Sequence, residues 1–561
     1  MRRTVPLTFL SALLALAPAP ADADALFLKH GRILTGVDSP KSKRWADALL
    51  IVDGRIAAVG RESDVRRVAR QRHLVPTERD LGGAFAMPGL IDAHGHVAGL
   101  GQSLRRLRFF GTTSAEQIAG MVSEAAAKRP ASEWIFGRGW DQNDWALKRF
   151  PTRALLDSVA PQHPVWLRRV DGHAGWANSR ALALAGVTRD TRDPDGGRIE
   201  RDSNGEPTGV FVDNAMSLVN TAIPPLTPEQ LSSDIASGLR ECARFGLTGV
   251  HDAGIDADGL EAYRRLEASN GLAIRVAAML SAGAVLHEGA LGAPRAAGPN
   301  GLFRVFAVKA YADGALGSRG AALLEPYSDD PGNRGLLVTS PDTLELLARM
   351  SLEHGLPLCI HAIGDRGNRV ALEACERAAG GAQALRGKRF RIEHAQVVAL
   401  DDIPRFARAG VIASMQPTHC TSDMPWAPDR LGAQRIKGAY AWRRMLTAGV
   451  RLALGSDFPV EDANPLLGLY AAVTTQDPSG QPPEGYRPSE RLSIWEALYG
   501  FTNGAAYAAS MEREVGRLAP GYWADVAVFD SDLTSVPFAS IPKARCLLSI
   551  VGGQVVWDAK P

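Results

Sequence analysis

The chain has 561 residues, 45% of them hydrophobic and 22% charged, with a net charge of +2 at pH 7. That length exceeds what one hydrophobic core organises, so two or more structural units are expected. The near-neutral balance excludes the basic field that nucleic acid or an anionic membrane surface would call for.

The N-terminus carries an export signal. Arg2 and Arg3 precede an apolar run from Val5 to Ala17, and small residues at Ala19, Ala21, Ala23 and Ala25 follow. This order of charged, apolar and small-x-small segments predicts a secretory signal peptide over residues 1–23, cleaved after Ala23, with Ala21 and Ala25 as alternatives. The mature protein is therefore expected to be periplasmic or secreted. No later run of about 20 apolar residues exists, so no membrane insertion is expected once the signal is removed. The five cysteines (Cys242, Cys359, Cys375, Cys420 and Cys546) are scattered. They read as small buried apolar residues rather than a disulfide framework.

From Leu26 to Ala84 the pattern is strand and turn. Ala48–Val52 leads through Asp53-Gly54, a hairpin signal, into Arg55–Gly60. The C-terminus has the same character at Asp525–Asp530, Cys546–Val551 and Gln554–Trp557. Neither end alone buries a sheet face, so residues 24–86 and 515–561 are expected to form one composite β-sandwich, with 87–514 inserted into it.

The middle alternates helical patterns with short apolar strands. Candidate strands end at His94, Asp252, Met279, Lys309, His361, His394, Gln416 and Asp457. Eight such strands are what a (β/α)8 barrel needs. Residues 100–240 exceed a single βα connection and carry their own tryptophans (Trp134, Trp140, Trp145, Trp166 and Trp176) and turns. They read as an insertion after the first barrel strand, covering the catalytic face.

The chemistry gathers at the strand ends. In Ala86-Met87-Pro88-Gly89-Leu90-Ile91-Asp92-Ala93-His94-Gly95-His96 an apolar run ends in two histidines one residue apart. On a strand, His94 and His96 share a face. Lys309, His361, His394 and Asp457 also follow apolar runs. Four imidazoles and a carboxylate suit a pair of divalent ions, zinc above all, with manganese, iron or cobalt also compatible. Lys309 fits such a site as a neutral desolvated amine or as a carbamate; the plain alternative is a strand-end lysine paired with Asp313. In the expected reaction a metal-bridging hydroxide attacks a polarised carbonyl, and Asp457 moves the proton to the leaving group. His173, Trp140, Asp141, His419 and Arg319 are candidates for substrate contact. Arg319 and Asp313 are candidates for support around Lys309, and His251 reads as structural.

The stretches PGLIDAHGH, RGWDQNDW, VDGHAGWANSRAL, VKAYADGALGSRGAAL, IHAIGDRGN, RIEHAQ, QPTHCTSDMPWA and GSDFPVEDANPLLGLYAAV carry a resemblance. The chain resembles the amidohydrolase superfamily, in the YtcJ-like branch that includes N-substituted formamide deformylases. The resemblance implies a distorted metal-dependent (β/α)8 barrel with a β-sandwich from both ends. It further implies that His94, His96, Lys309, His361, His394 and Asp457 occupy metal and catalytic positions, and that Lys309 carries a CO2-derived carbamate. The substrate class implied is an amide-like small molecule. An ester or lactone hydrolase on the same metals, and a non-catalytic regulator that kept the fold, are the alternatives. A homo-oligomer is left open. One departure is Thr502-Asn503-Gly504, read as a helix start, where the pattern calls for Asn-Pro.

Overall fold

The computed structural model describes residues 24–559, apart from 38–44, 110, 143–144, 170–173, 195–196, 214, 288–297, 299 and 318. The chain divides into two compact units, residues 98–238 and the remainder on either side of them.

The larger unit holds an eight-stranded parallel sheet in which chain order and spatial order coincide. The strands are Leu90–Gly95, Leu247–Ile255, Arg275–Ser281, Phe303–Tyr311, Leu358–Ala362, Arg391–His394, Ile412–Met415 and Leu452–Leu454. The first and last meet: Gly95 bridges to Phe458, Asp457 N donates to His94 O at 2.7 Å, and His96 N donates to Phe458 O at 2.7 Å. The sheet is thus closed into a (β/α)8 barrel. Two glycines permit the closure. A Cβ on Gly95 would lie 2.5 Å from the Phe458 ring, and one on Gly455 would lie 2.5 Å from Asp92 Oδ1. The barrel is filled by small and apolar residues such as Ile91, Ala93, Ala253, Met279, Phe306, Cys359 and Ala453, packed against the helix Ala505–Ala508.

Five strands outrun the expected ends, the first, third and fifth by only one or two residues. The second continues past Asp252 to Ile255, and the fourth continues past Lys309 to Tyr311, because Tyr311 still pairs with His361. Thr502-Asn503-Gly504 does not begin a helix. It lies in a π-helical turn, Gly500–Gly504, between Ile494–Tyr499 and Ala505–Ala508, so the backbone runs on through it.

Both chain ends share one six-stranded sheet, in which Val526–Phe529 pairs antiparallel with Phe85–Pro88. A four-stranded sheet faces it, including the hairpin Ala48–Val52/Arg55–Gly60 through Asp53-Gly54. Leu28, Leu49 and Ile51 of the smaller sheet pack with Ile33, Val526, Val528 and Ile550 of the larger. Alternating inward residues from two sheets are what a sandwich core requires.

The smaller unit is built on its own six-stranded sheet, Leu107–Arg108, Ile135–Trp140, Val165–Arg169, Ala174–Ala177, Pro207–Asp213 and Gly197–Arg201 in spatial order. Trp140, Trp145 and Trp176 anchor one apolar cluster; Trp134 and Trp166 anchor another. All five cysteines are buried free thiols. Among the described residues no helix is long and apolar enough to cross a membrane.

Candidate metal centre

The side chains at the C-terminal ends of the barrel strands converge. Asp457 stands at the middle and divides its two oxygens. Oδ1 lies 3.2 Å from His96 Nε2 and 3.6 Å from His94 Nε2, while Oδ2 lies 3.3 Å from His419 Nε2. The ligand atoms of His94, His96 and Asp457 all fall within 4.8 Å of one another, and so do those of His394, His419 and Asp457. The His361 ring stands 4.6 Å from that of His394, and His94 4.9 Å from His394. Lys309 Nζ is 3.2 Å from His94 Nε2.

Three of the rings are aimed from behind. His94 Nδ1 is 2.6 Å from Glu393 Oε2, and His394 Nδ1 is 2.8 Å from Gln416 Oε1. These contacts leave Nε2 as the inward-facing nitrogen. His419 Nδ1 is 3.1 Å from Glu461 Oε1, which also accepts from Ser422 Oγ. Glu393 is held in turn by Arg391, whose Nε donates to Oε1 at 2.7 Å and Nη2 to Oε2 at 2.9 Å. Arg391 also reaches Ala93 O, Ser414 Oγ and His251 Nδ1, so one buried guanidinium ties four barrel strands together. Asp92 accepts from the backbone of His94 and from the backbone and hydroxyl of Ser456, and so joins the strand of His94 to the loop of Asp457. His394 (φ 71°) and Asp457 (φ 63°) both adopt left-handed backbone, a strained conformation for residues of their kind and one that clusters at functional sites.

The electrostatics suit a cation. Burial, followed by the nearby lysine, pushes His94 down to about 4 and His361 down to about 3. Burial and the His361 ring hold His394 well below the usual imidazole value. Burial lowers Lys309 as well. Burial would raise the Asp457 carboxyl, but His419, His96 and the other rings override it and keep it well below the carboxylate range. Neutral imidazoles at His94, His361 and His394 beside an ionised carboxylate are the donors that divalent transition metals prefer. The buried His361 Nε2 has no hydrogen-bond partner, which is costly unless something binds it. The residues present fit a metal.

Among the described residues, the other predicted site residues have partners of their own, and Asp313 also stands 3.7 Å from His361 Nε2. Trp140 is fully buried against Trp145, Phe150 and Trp176, and its indole donates to Leu167 O at 2.9 Å. It is a core residue with no surface to offer a substrate. Asp141 accepts from Arg169 Nη2 at 2.5 Å. Arg319 pairs with Asp329 at 2.9 Å rather than supporting Lys309. Asp313 accepts from the backbone of Ala322, Ile363 and Gly364, so it shapes the loops beside His361 and does not pair with the lysine. His173 lies outside the described residues. Glu393, Arg391, Gln416 and Glu461 were not singled out in the sequence. Arg391 and Glu393 did leave a signal: two charges at i and i+2 in an apolar strand share a face and must be paired there.

Residues 77–557 match the Amidohydrolase family. The chain belongs to that family. The amidohydrolase-type protein YtcJ of Bacillus subtilis is 35% identical over 522 residues, 91% of this chain and 96% of that one. An N-substituted formamide deformylase of Arthrobacter pascens is 29% identical over 528 residues, 91% and 95% of the two chains. Among solved structures, a metal-dependent hydrolase from Pyrococcus furiosus superposes with a TM-score of 0.77 at 30% identity, covering 91% of this chain and all (100%) of that one. This amidohydrolase is accordingly a metal-dependent hydrolase, and its barrel mouth carries histidine–aspartate groups with the spacing to hold a metal.

Proposed function

We propose that the enzyme hydrolyses a non-peptide carbon–nitrogen bond in a small amide-like molecule. The observation that carries this reading is the Asp457 carboxylate grouped with His94 and His96 on one side and with His394 on the other. His94, His96, His361, His394 and Asp457 would hold two divalent ions, zinc by donor type, with Lys309 contributing as a carbamate. A buried amine beside an imidazole, with its charged form disfavoured by desolvation, is a nucleophile toward CO2. Bound there, divalent ions supply Lewis acidity and lower the pKa of water toward neutrality.

The chain's own residues do the rest. Asp457 accepts a proton from the attacking water and returns it to the leaving nitrogen. Glu393 and Gln416 keep the His94 and His394 rings turned inward. His419, raised to about 10 by Asp457 and Glu461 against the opposing effect of burial, presents a positive ring beside Asp457 that favours its ionised form. The relative named for N-substituted formamides supports an amide over an ester.

The same reading places the mature protein outside the cytoplasm, on the Arg2-Arg3, apolar and small-residue order of residues 1–23. N-terminal sequencing of native material should begin near Asp24; an intact Met1 on cytosolic protein would refute export. For the activity, elemental analysis joined to a panel of N-substituted amides, esters and lactones is the test. Two metals per chain with amide turnover is the expected result, and turnover of esters or lactones alone would overturn it.

A further inference from the structure

The smaller unit contains a cleft of about 350 Å³, within the size range of small-molecule sites. Four arginines line it, Arg105, Arg106, Arg129 and Arg168, and no acidic residue does. Two of the four are answered nearby: Arg105 Nε is 2.6 Å from Asp234, and Arg129 Nη1 is 3.1 Å from Glu133. Among the described residues, no carboxylate pairs with Arg106 or Arg168.

Sheet register places Arg168 and the aromatic wall of the cleft. Phe136 lies opposite Trp166, and Arg138 lies opposite Arg168 on one side and Arg108 on the other. Side chains at i and i+2 share a face, so an aromatic row adjoins an arginine row on one face of the sheet. Like charges directly opposite across strands are destabilising. The Trp166 ring lies where a side chain on Gly175 would be, since a Cβ there would come within 2.0 Å of it. Ile223, Pro224 and Leu226 complete an apolar wall. Arg106 is pushed below its ordinary value by desolvation and by Arg168, Arg138 and Arg105, with Asp234 alone opposing.

We infer that this cleft binds a small organic anion, its carboxylate or phosphate head held by Arg106 and Arg168 and its apolar body resting on Phe136, Trp166 and the proline wall. Guanidinium forks match both head groups, and a bound anion supplies a countercharge for Arg106 and Arg168, which pair with no carboxylate among the described residues. The site shares no residue with the histidine cluster and rests on none of the roles proposed for it.

The test is isothermal titration of the metal-loaded full chain with benzoate, phenyl phosphate, inorganic phosphate and neutral benzamide, on wild type and on Arg106→Gln/Arg168→Gln. Benzoate or phenyl phosphate should bind wild type and weaken about tenfold or more in the double variant, one lost charge-assisted contact being enough for that factor. The same anions should weaken as salt rises, and benzamide should not bind. The single variant Arg168→Lys should fall between the two, since it keeps the charge and loses the fork. Whichever aromatic probe binds more tightly identifies the head group. Catalytic turnover in both variants should match wild type, which shows that they fold. Equal affinity in wild type and double variant would place any binding elsewhere and overturn the inference. So would inorganic phosphate binding as tightly as both aromatic anions, or no anion binding at all.

Discussion

His94 Nδ1 stands 2.6 Å from Glu393 Oε2, with both side chains completely removed from solvent. Burial alone would protonate that carboxyl, but the Arg391 guanidinium and the His94 ring hold it well below the usual range. Glu393 therefore fixes which ring nitrogen of His94 faces the centre. Glu393→Gln keeps the shape and loses the charge. Metal affinity should fall about 10–100-fold, the usual effect of removing such a support. Competition with a chromophoric chelator measures it, and circular dichroism checks the fold. Unchanged affinity would reduce Glu393 to a structural partner of Arg391.

The barrel was legible because its strands read as apolar runs, all but the third closing on a polar residue, and a parallel sheet buried on both faces needs such runs. His94, His96, His394 and Asp457 were legible for the same reason. Glu393 and Gln416 were not. Each acts through a partner on another strand, and no periodicity within one strand announces such pairing. His419 read as a pocket residue, whereas its position at the start of the helix after the seventh strand brings it to 3.3 Å from Asp457. Trp140 sat in a motif rich in polar neighbours, yet three aromatic partners pull it into the core.

Lys309 Nζ lies 3.2 Å from His94 Nε2 and 4.9 Å from the centre of the Tyr311 ring. A free ammonium there would meet both metal ions as a like charge. Lys309→Ala should lose activity, and short carboxylic acids such as acetate or propionate should restore part of it by supplying the missing oxygens. Mass spectrometry is not decisive, because carbamates decompose on acidification. Wild-type turnover with two metals in Lys309→Ala would refute the carbamate.

Away from the site, Glu496 closes a capping box at the helix Ile494–Tyr499 and receives both terminal nitrogens of Arg443 at 2.6–2.7 Å. Arg443, with help from Ser493 and against partial burial, lowers its pKa from 4.5 to about 2. A depressed carboxyl stabilises the fold above its unfolded value and loses that contribution as pH falls through the folded one. Glu496→Gln should therefore lower the urea midpoint at pH 7, by an amount corresponding to about 1 kcal/mol for a partly exposed cap. The gap between variant and wild type should close between pH 4.5 and 2. A gap independent of pH would assign the effect to shape rather than charge.

Asp457 follows the eighth strand at the point where the barrel closes, its backbone tied to His94 O and its oxygens directed to different imidazoles. Its carboxyl is held ionised by the surrounding rings, so at rest it is a ligand and a base rather than an acid. Accepting a proton is unfavourable for such a group in isolation. It becomes feasible when the water giving up the proton is acidified by metal and the departing nitrogen is strongly basic, because the carboxyl then carries the proton only briefly. Asp457→Asn preserves size and hydrogen-bonding shape and tolerates the left-handed backbone at this position. It cannot take the proton. Turnover should fall about 10²–10⁴-fold, the usual share of a general acid–base group, while the histidines keep most of the bound metal. If Asp457 served only to shape the turn, asparagine would be a good replacement and kcat would stay near wild type. Measuring kcat and metal content on one preparation separates the cases: lost turnover with metal retained assigns the proton to Asp457, lost turnover with metal lost makes it chiefly a ligand, and near-wild-type turnover removes it from the mechanism.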